Sequence, residues 1–464
     1  MSKTNQKSNS LLTMVSYGIG KFHAEFFSQA FGVLVFFYYE TEVLLDLRLA
    51  AIGFIIYAIW NAFNDPIIGF FTEKRTTRFT KRFGRRFPWV MGGIIVWVFT
   101  FILIFFIPAP ILTNQFLLFL WMVLSTCLFD TLYSLWDVNY QSIFPDKFRE
   151  DSIRNRVAGI ATGIGVFGIA TGFILPNLFI TYGQPQTFIT NSLFFAIIGF
   201  FIAFLLIPGV RETPDMIERY LNDREKETET SFIQELKEAF KVRNFVAWII
   251  IYFFYQSAVV MMTGSVHYIG RYILPGGSAD TTIIFVGLLG GALIAIPIWT
   301  WFAKRIKSNQ KTMMITALFM ALFALPLTLP IVNTYASITL FIFLFGLGFG
   351  GYWMIMTPAL ADVIDEIVVK TGRRNDGIFM GFRAFFGRFA FAVQGVVFFL
   401  VHGLTGFAAG VTEQTPLALL GLHSHIGIIP ALLLVIGVLV FWKLNDLNPE
   451  KVERLKAELV EKAL

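Results

Sequence analysis

The 464-residue chain is 56% hydrophobic and only 15% charged, with a mean hydropathy of +0.67. Soluble domains usually carry about 25% charged residues, so this composition excludes an ordinary soluble domain and indicates an integral membrane protein. The net charge of +6 does not indicate nucleic-acid binding, because the basic residues lie between apolar segments. The single cysteine, Cys127, excludes an intramolecular disulfide and any zinc or iron–sulfur site built from cysteines.

Twelve segments are apolar enough to cross a bilayer as helices, which requires about 20 residues each. They cover roughly residues 12–39, 47–72, 88–107, 115–144, 155–182, 188–208, 245–273, 281–303, 312–331, 334–360, 377–402 and 427–443. The sequence therefore predicts an all-α membrane protein with twelve transmembrane helices.

The loops between these segments alternate in charge. Nearly all loop Lys and Arg fall in residues 73–87, 145–156, 209–244, 304–311 and 361–376. Cytoplasmic loops of membrane proteins carry an excess of Lys and Arg, so both termini are expected in the cytoplasm. We also expect the protein in the plasma membrane.

A long charged segment separates the first six spans from the last six. We expect an N-terminal half at 1–208, a linker with an amphipathic helix at 209–244, a C-terminal half at 245–443 and a charged tail at 444–464. Transporters built from two such repeats bind their substrate between the halves.

Carboxylates inside three spans of the N-terminal half are the main candidates for function. Glu25 lies midway along span one, Asp65 follows Asn61 by four residues on span two, and Asp137 follows Tyr133 by four on span four. Ionisable residues are rare inside a membrane and usually mark an ion or substrate pathway. Oxygen ligands of this kind suit a hard cation such as Na⁺, and a carboxylate with a raised pKa can instead carry H⁺. The competing interpretation is a static ion pair, for which Lys21 and Glu25 have the helical spacing.

The C-terminal half contributes cations, because Arg383 and Arg388 lie inside span eleven. Arg388 can pair with Asp65 or Asp137 in one transport state and release it in another, whereas Arg383 fits equally well with snorkelling to the interface or with a local partner. A further set of charges in the cytoplasmic loops predicts ion pairs that gate the cavity, with orientation and lipid contact as the alternative. Its members are Glu73, Arg85, Arg86, Arg149, Asp362, Asp365 and Arg373.

Other chemistries lack support in the sequence. There is no P-loop lysine for ATP-driven transport and no nucleophile–base pair for an enzyme. The five histidines have no metal-ligand spacing, apart from the weak pattern His423-Ser424-His425, and are predicted to be loop residues. No metal beyond a coupling Na⁺ and no cofactor is therefore expected.

Several motifs resemble those of the glycoside–pentoside–hexuronide:cation symporters, a family within the major facilitator superfamily typified by the melibiose permease. The similarity extends over nearly the whole chain. It is strongest at Ser16–Gly20 followed by Glu25, at Trp60–Pro66 with Gly84–Trp89, at Tyr133–Pro145, and at Trp353, Ala361–Asp365 and Arg388. The resemblance implies a major facilitator fold, alternating access and symport of a sugar or glycoside with H⁺ or Na⁺. It also implies that Trp353 and Tyr133 stack on the sugar and that Arg388 couples the two halves.

Three departures from the family pattern affect these expectations. Asn61 stands where the family has a second span-two carboxylate, which weakens a Na⁺ site and favours H⁺ coupling or an altered stoichiometry. Arg388 replaces a Lys and cannot deprotonate. The family's sugar-contacting Arg aligns with Thr162 when no gap is allowed, and with Arg156 only when a gap of several residues is introduced.

Animal lysophosphatidylcholine symporters share this architecture, so a lysolipid or another amphipathic solute is the alternative substrate. The protein is otherwise expected to contact membrane lipid, to bind no nucleic acid and to be monomeric.

Overall fold

The computed structural model describes residues 10–73, 82–223, 236–237, 239–372 and 376–461. The described residues form helices and connecting turns, with no strand among them. This confirms the predicted all-α membrane class. Residues 224–235 and 238 of the predicted linker, which was expected to contain an amphipathic helix, lie outside the described residues.

The chain forms two compact units, Met1–Thr228 and Glu229–Leu464. The long helices of the first unit are α1 (Leu11–Phe37), α2 (Leu47–Glu73), α3 (Phe87–Phe105), α4 (Gln115–Lys147), α5 (Asp151–Phe179) and α6 (Pro185–Leu205). A π-helical turn, Tyr38–Glu42, extends α1, and short helices occupy Ala109–Leu112, Ile207–Val210 and Pro214–Asp223.

The helices of the second unit are more interrupted. They are α7 (Arg243–Tyr272), α8 (Thr282–Ile306), α9 (Asn309–Ala324), α10 (Tyr335–Thr371), α11 (Asp376–Arg388), α12 (Ala390–Thr405), α13 (Pro416–Ile426), α14 (Ile428–Leu444) and α15 (Pro449–Glu461). A 3₁₀ turn, Leu325–Thr328, ends α9.

Local sequence signals explain where several of these helices begin. The Asn114 side chain accepts hydrogen bonds from the backbone N–H groups of Phe116 and Leu117 at the start of α4. Thr334 and Ser337 form a reciprocal capping box at the start of α10. These caps satisfy backbone donors that have no partner within the helix.

Among the described residues, eleven helical segments are long and apolar enough to cross a membrane, and they match predicted spans two to twelve. The remaining predicted span, α1, has 27 residues but carries Lys21, His23, Glu25 and Gln29, which lower its mean hydropathy. The last span begins earlier than predicted, at Pro416 instead of residue 427. Thr415 caps α13 at that point, so the predicted loop 403–426 is helical in its second half.

The prediction that the histidines lie in loops was wrong. All five histidines are buried, with exposed fractions of 3% or less, and all lie in helices: His23, His267, His402, His423 and His425. His423, for example, shares a hydrogen bond of 2.9 Å with the carbonyl oxygen of Leu327 at the end of α9. These histidines therefore take part in the packing between helices and do not lie in loops.

The first unit is held together by close backbone approach and aromatic packing. A Cβ atom added at Gly168 or Gly172 of α5 would lie only 2.5–2.6 Å from a carbonyl oxygen of α1, so only glycine allows this contact. The fully buried rings of Trp97 and Trp136 pack against each other at a centroid distance of 5.4 Å. This packing fixes α1, α3, α4 and α5 around the polar residues described next.

Candidate functional site

A chain of hydrogen bonds links two carboxylates between α2 and α4. The Asn64 side-chain nitrogen donates to Asp130 Oδ2 at 3.1 Å and to Ser134 Oγ at 3.0 Å. The Ser134 hydroxyl in turn donates to Asp65 Oδ1 at 2.5 Å. Asn64, Asp130 and Ser134 are 1%, 3% and 0% exposed. We call these four residues the α2–α4 polar network.

Helical geometry explains why the network forms. Asp130 and Ser134 are one turn apart on α4 and therefore share a face. Asn64 and Asp65 sit immediately before Pro66, which cannot donate a hydrogen bond to the carbonyl of Ala62 within α2. The interruption and the buried polar side chains occupy the same part of the helix.

Of this network, the sequence analysis identified only Asp65. Asn64, Asp130 and Ser134 were missed, although two signals could have found them. Asn64 is adjacent to Asp65, and Asp130, Ser134 and Asp137 follow each other at intervals of four and three residues.

Glu25 has local partners on its own helix. Its carboxylate lies 2.9 Å from Lys21 Nζ and accepts a hydrogen bond of 2.9 Å from Gln29. Glu25 is largely shielded, with 18% of its side chain exposed, whereas Lys21 is half-exposed. The ion pair is the one that the alternative interpretation expected.

The remaining predicted cation ligands lie on the same helices as the network. Asn61 is buried and donates to the Tyr57 hydroxyl at 3.2 Å, within α2. Asp137 is buried on α4 and accepts from Gln141 at 2.6 Å. Tyr133 is half-buried, with its ring packed against Trp97 and Trp136.

Within the part of the chain that the structure describes, no three His, Cys, Asp or Glu side chains form a group of the kind that binds a metal ion. Glu25, Asp65 and Asp137 are therefore not brought together as one such ligand set. The acids that the structure does connect are Asp65 and Asp130, through a hydroxyl and an amide. The predicted role of Glu25, Asn61, Asp65 and Asp137 in ion binding stays a prediction.

The predicted substrate residues of the second unit lie on α10 and α11. Trp353 is half-buried and stacks on Phe349 at a ring-centroid distance of 6.0 Å. Arg388 is half-buried at the end of α11. The Arg383 guanidinium lies over the Tyr252 ring, 5.8 Å from its centroid. The local partner expected for Arg383 is therefore an aromatic ring rather than an acid.

The predicted cationic residues of the first unit differ in their surroundings. Arg86 donates to Asp146 and to the carbonyl oxygen of Ser142. Arg85 is half-buried, whereas Arg149 and Arg156 are exposed. The side chain of Glu73 and the whole of Arg373 lie outside the described residues.

Two buried acids near the end of α10 are bonded to the C-terminal helix α15. Asp362 accepts a hydrogen bond from Asn309 at 2.8 Å and lies 3.6 Å from Lys456 Nζ. Glu366 accepts from Asn244 at 2.6 Å and from both Lys370 and Lys451 at about 3 Å. Asp365 is half-buried. We call Asp362, Glu366 and their lysines the α10–α15 clamp.

Asp446 extends the clamp beyond the membrane-spanning segments. Partial burial opposes ionisation of its carboxyl, but hydrogen bonds from Lys451 and Asn244 outweigh burial and hold the pKa of Asp446 below its usual range. Burial likewise opposes the charge of Lys451, and its bonds to Asp446 and Glu366 raise the pKa of Lys451 above its usual range. Both groups are therefore charged at neutral pH, and the ion pair fixes the start of α15.

Comparison with known proteins relates the chain to transporters. Residues 16–446 match a family described as MFS/sugar transport protein. A sodium-dependent lysophosphatidylcholine symporter 1 of Xenopus tropicalis is 24% identical, with 86% of this chain and 80% of that protein covered. The Mus musculus protein of the same name is also 24% identical, with 97% and 88% covered. An uncharacterized symporter, YnaJ, of Bacillus subtilis (strain 168) is 24% identical, with 99% and 96% covered.

Solved structures show the same fold. A POT family transporter in complex with 5-aminolevulinic acid superposes with a TM-score of 0.64 at 12% identity, over 97% of this chain and all of that one. The nucleoside transporter NupG gives a TM-score of 0.59 at 11% identity, over 96% and 100%. The narrower assignment to the glycoside–pentoside–hexuronide symporters stays a prediction. Because the matched family spans almost the entire sequence, the chain belongs to the MFS/sugar transport protein family of membrane transporters.

Proposed function

We propose that this protein is a Na⁺-coupled symporter and that the α2–α4 polar network binds the coupling ion. The observation that carries the proposal is the linkage of Asp65 and Asp130 through Ser134 and Asn64 inside two apolar helices. Carboxylate, hydroxyl and amide oxygens are the ligands that hard cations prefer. The sodium dependence named for the lysophosphatidylcholine symporters supports Na⁺ over H⁺.

For the transported solute we propose an amphipathic molecule of the lysophospholipid class. The support is the similarity to lysophosphatidylcholine symporters over most of both chains. A phosphate-bearing headgroup also suits a half-buried cation such as Arg388, which is surrounded in sequence by Phe385, Phe386 and Phe389. This reverses the order of preference that the sequence alone suggested, in which a sugar came first.

A sugar remains the second candidate, because one feature of the second unit favours it. Trp353 and Phe349 form an aromatic platform in which Trp353 is half-exposed, and such rings stack well on the apolar face of a pyranose. The description of the matched family as sugar transporters agrees with this candidate.

Reconstituted proteoliposomes test the coupling and the solute separately. Uptake of a radiolabelled lysophosphatidylcholine and of a panel of glycosides is measured with an imposed Na⁺ gradient at equal pH, and then with a pH gradient at equal Na⁺. We expect concentrative uptake of the lysolipid driven by Na⁺ alone. Uptake driven only by the pH gradient would assign H⁺ as the ion, and uptake unaffected by either gradient would contradict coupled transport.

We further propose that the protein is monomeric in the plasma membrane with both termini in the cytoplasm. The charge asymmetry of the loops supports this orientation. Accessibility of single cysteines, introduced into a variant lacking Cys127, to an impermeant reagent in intact cells tests it. Labelling near residue 445 from outside the cell would contradict the orientation.

A further inference from the structure

Arg383 is a cation inside a membrane-spanning segment of the second unit, and its surroundings are aromatic. It is half-buried on α11, in the span that begins at Phe379. Its guanidinium lies over the Tyr252 ring of α7, 5.8 Å from the centroid, and among the described residues no acid forms an ion pair with it. An arginine inside a membrane is costly and is usually paired, so one without an acidic partner is a candidate for binding an anion.

The position of the Tyr252 ring argues against snorkelling of Arg383 to the membrane surface. Phe245, near the start of α7, packs against Phe379 near the start of α11, so the two helices begin at a similar level. Tyr252 follows Phe245 by about two helical turns. A Cβ atom added at Gly387, one turn after Arg383, would lie 2.9 Å from the Tyr252 ring. A snorkelling arginine would reach back towards the helix start, whereas this guanidinium stays beside a ring that lies one turn deeper.

Tyr252 is held in place as a platform for the arginine. Its ring stacks on that of Trp248 at a centroid distance of 5.2 Å and an interplanar angle of 10°. Trp248 is fully buried and Tyr252 is 8% exposed. A cation–π contact holds the charge of a guanidinium in place but supplies no acceptor for its N–H donors. The donors of Arg383 are therefore suited to the oxygens of a bound anion.

Aromatic side chains of α7 and α10 continue from Tyr252 towards Trp353. Tyr255 lies 6.4 Å from Tyr252 and stacks on Tyr352 at 3.7 Å and on Phe349 at 6.3 Å, measured between ring centroids. Phe349 in turn stacks on Trp353. The buried Tyr352 hydroxyl has no hydrogen-bond partner among the described residues. The cluster thus combines a cation, a hydroxyl donor and apolar ring faces, which together suit an anionic group attached to an apolar body.

We propose that Arg383 binds the phosphate of the transported lysophospholipid and that Tyr252 is a positioning residue for Arg383. The planar guanidinium can donate to two phosphate oxygens at once, and the rings that follow contact the apolar part of the solute. This inference rests on the proposed lysophospholipid solute. It does not involve the α2–α4 polar network.

Ligand binding by the purified full-length protein in nanodiscs tests the inference. Scintillation proximity measures bound radiolabelled lysophosphatidylcholine at constant Na⁺, with unlabelled lysophosphatidylcholine or a monoacylglycerol of the same chain length as competitor. We expect the phosphate-bearing lipid to bind at least about tenfold more tightly, because hydrogen bonds between charged groups are the stronger ones. Equal affinities of the two lipids would overturn the inference.

A third competitor separates the phosphate from the choline group. Lysophosphatidylglycerol of the same chain length carries the phosphate without choline, and it should compete with an affinity similar to that of lysophosphatidylcholine. Competition as weak as that of the monoacylglycerol would show that choline is the recognised group, which would contradict the inference.

Variants assign the preference for phosphate to particular residues. Arg383→Gln and Tyr252→Leu should each abolish the preference while monoacylglycerol binds as before, and Tyr252→Phe, which keeps the ring, should retain it. The matched control is Arg271→Gln, because Arg271 also lies over a tyrosine ring, that of Tyr272 at 5.3 Å, but at the end of α7. An unchanged preference in Arg383→Gln, or a preference that only Arg388→Gln abolishes, would overturn the assignment.

The outcomes distinguish this inference from the proposed function. Tight binding of all three lipids without a preference for phosphate would remove only the role of Arg383. Absence of binding by all three would overturn the lysophospholipid proposal and this inference with it. No gradient is imposed, so the coupling to Na⁺ is tested separately by uptake.

Discussion

Both units contain buried carboxylates, but their hydrogen-bonding partners differ. In the first unit, the half-buried Asp65 and the buried Asp130 are connected by Ser134 and Asn64, a hydroxyl and an amide inside apolar helices. In the second unit, Asp362 and Glu366 lie near the end of α10 and contact lysines of α15.

This difference separates two uses of a buried charge. A lysine is a permanent counter-charge, so the α10–α15 clamp fixes one helix on another. Hydroxyl and amide groups offer oxygens that a cation can also use, so the α2–α4 polar network is suited to reversible ion binding. On this distinction, substitutions in the α2–α4 polar network change transport, and substitutions in the α10–α15 clamp change stability.

The largest expected effect is that of Asp65→Asn. The loss of one of the two linked carboxylates should weaken Na⁺ binding about a hundredfold, which corresponds to about 3 kcal/mol. Na⁺-driven uptake in proteoliposomes measures it, with the exposed Asp280→Asn as the control. Uptake by Asp65→Asn at the wild-type level would remove the network from the mechanism.

Next in size is Glu366→Gln, which tests the clamp. Glutamine keeps the shape but loses the charge that contacts Lys370 and Lys451, so the protein should lose about 2 kcal/mol of stability. Thermal unfolding in detergent measures the loss. The half-saturating Na⁺ concentration for uptake should stay unchanged, and an increase in it would break the distinction between the two units.

A smaller effect is expected for Ser134→Ala. This variant removes the hydrogen bond that Ser134 donates to Asp65 and the one that it accepts from Asn64. Because a hydrogen bond contributes about 1 kcal/mol net, we expect Na⁺ affinity to weaken about fivefold. The matched control is Ser192→Ala, because Ser192 is also fully buried in the first unit and, among the described residues, donates to the local carbonyl oxygen of Ile189. Equal Na⁺ affinities in the two variants would show that Ser134 is merely structural.

The smallest effect is expected for Lys456→Ala. Its side chain is 58% exposed and lies 3.6 Å from Asp362. Exposed lysines of this kind contribute less than about 1 kcal/mol. Thermal unfolding should therefore barely change, and a loss as large as that of Glu366→Gln would show that Lys456 carries the clamp.

The sequence predicted the membrane class and eleven of the span positions because these depend on the length and polarity of local segments. It failed for 416–426, which the Thr415 cap and the hydrogen bond of His423 to Leu327 hold as a helix.

For the site, the sequence identified Asp65 and Asp137 but not which acids share hydrogen bonds. That depends on the rotation of α4 against α2, which brings Ser134 and Asp130 to Asn64. Single-helix spacing does not contain this information. The glutamate of α1 shows the converse, because the spacing of Lys21 and Glu25 alone predicted their ion pair.

Equilibrium binding of ²²Na⁺ to the purified protein tests the central claim most directly. The wild type should bind Na⁺ saturably, and Asp65→Asn and Asp130→Asn should each weaken binding by at least tenfold, while Glu366→Gln binds like the wild type. Unchanged binding in both network variants would contradict the assignment of the coupling site to α2 and α4.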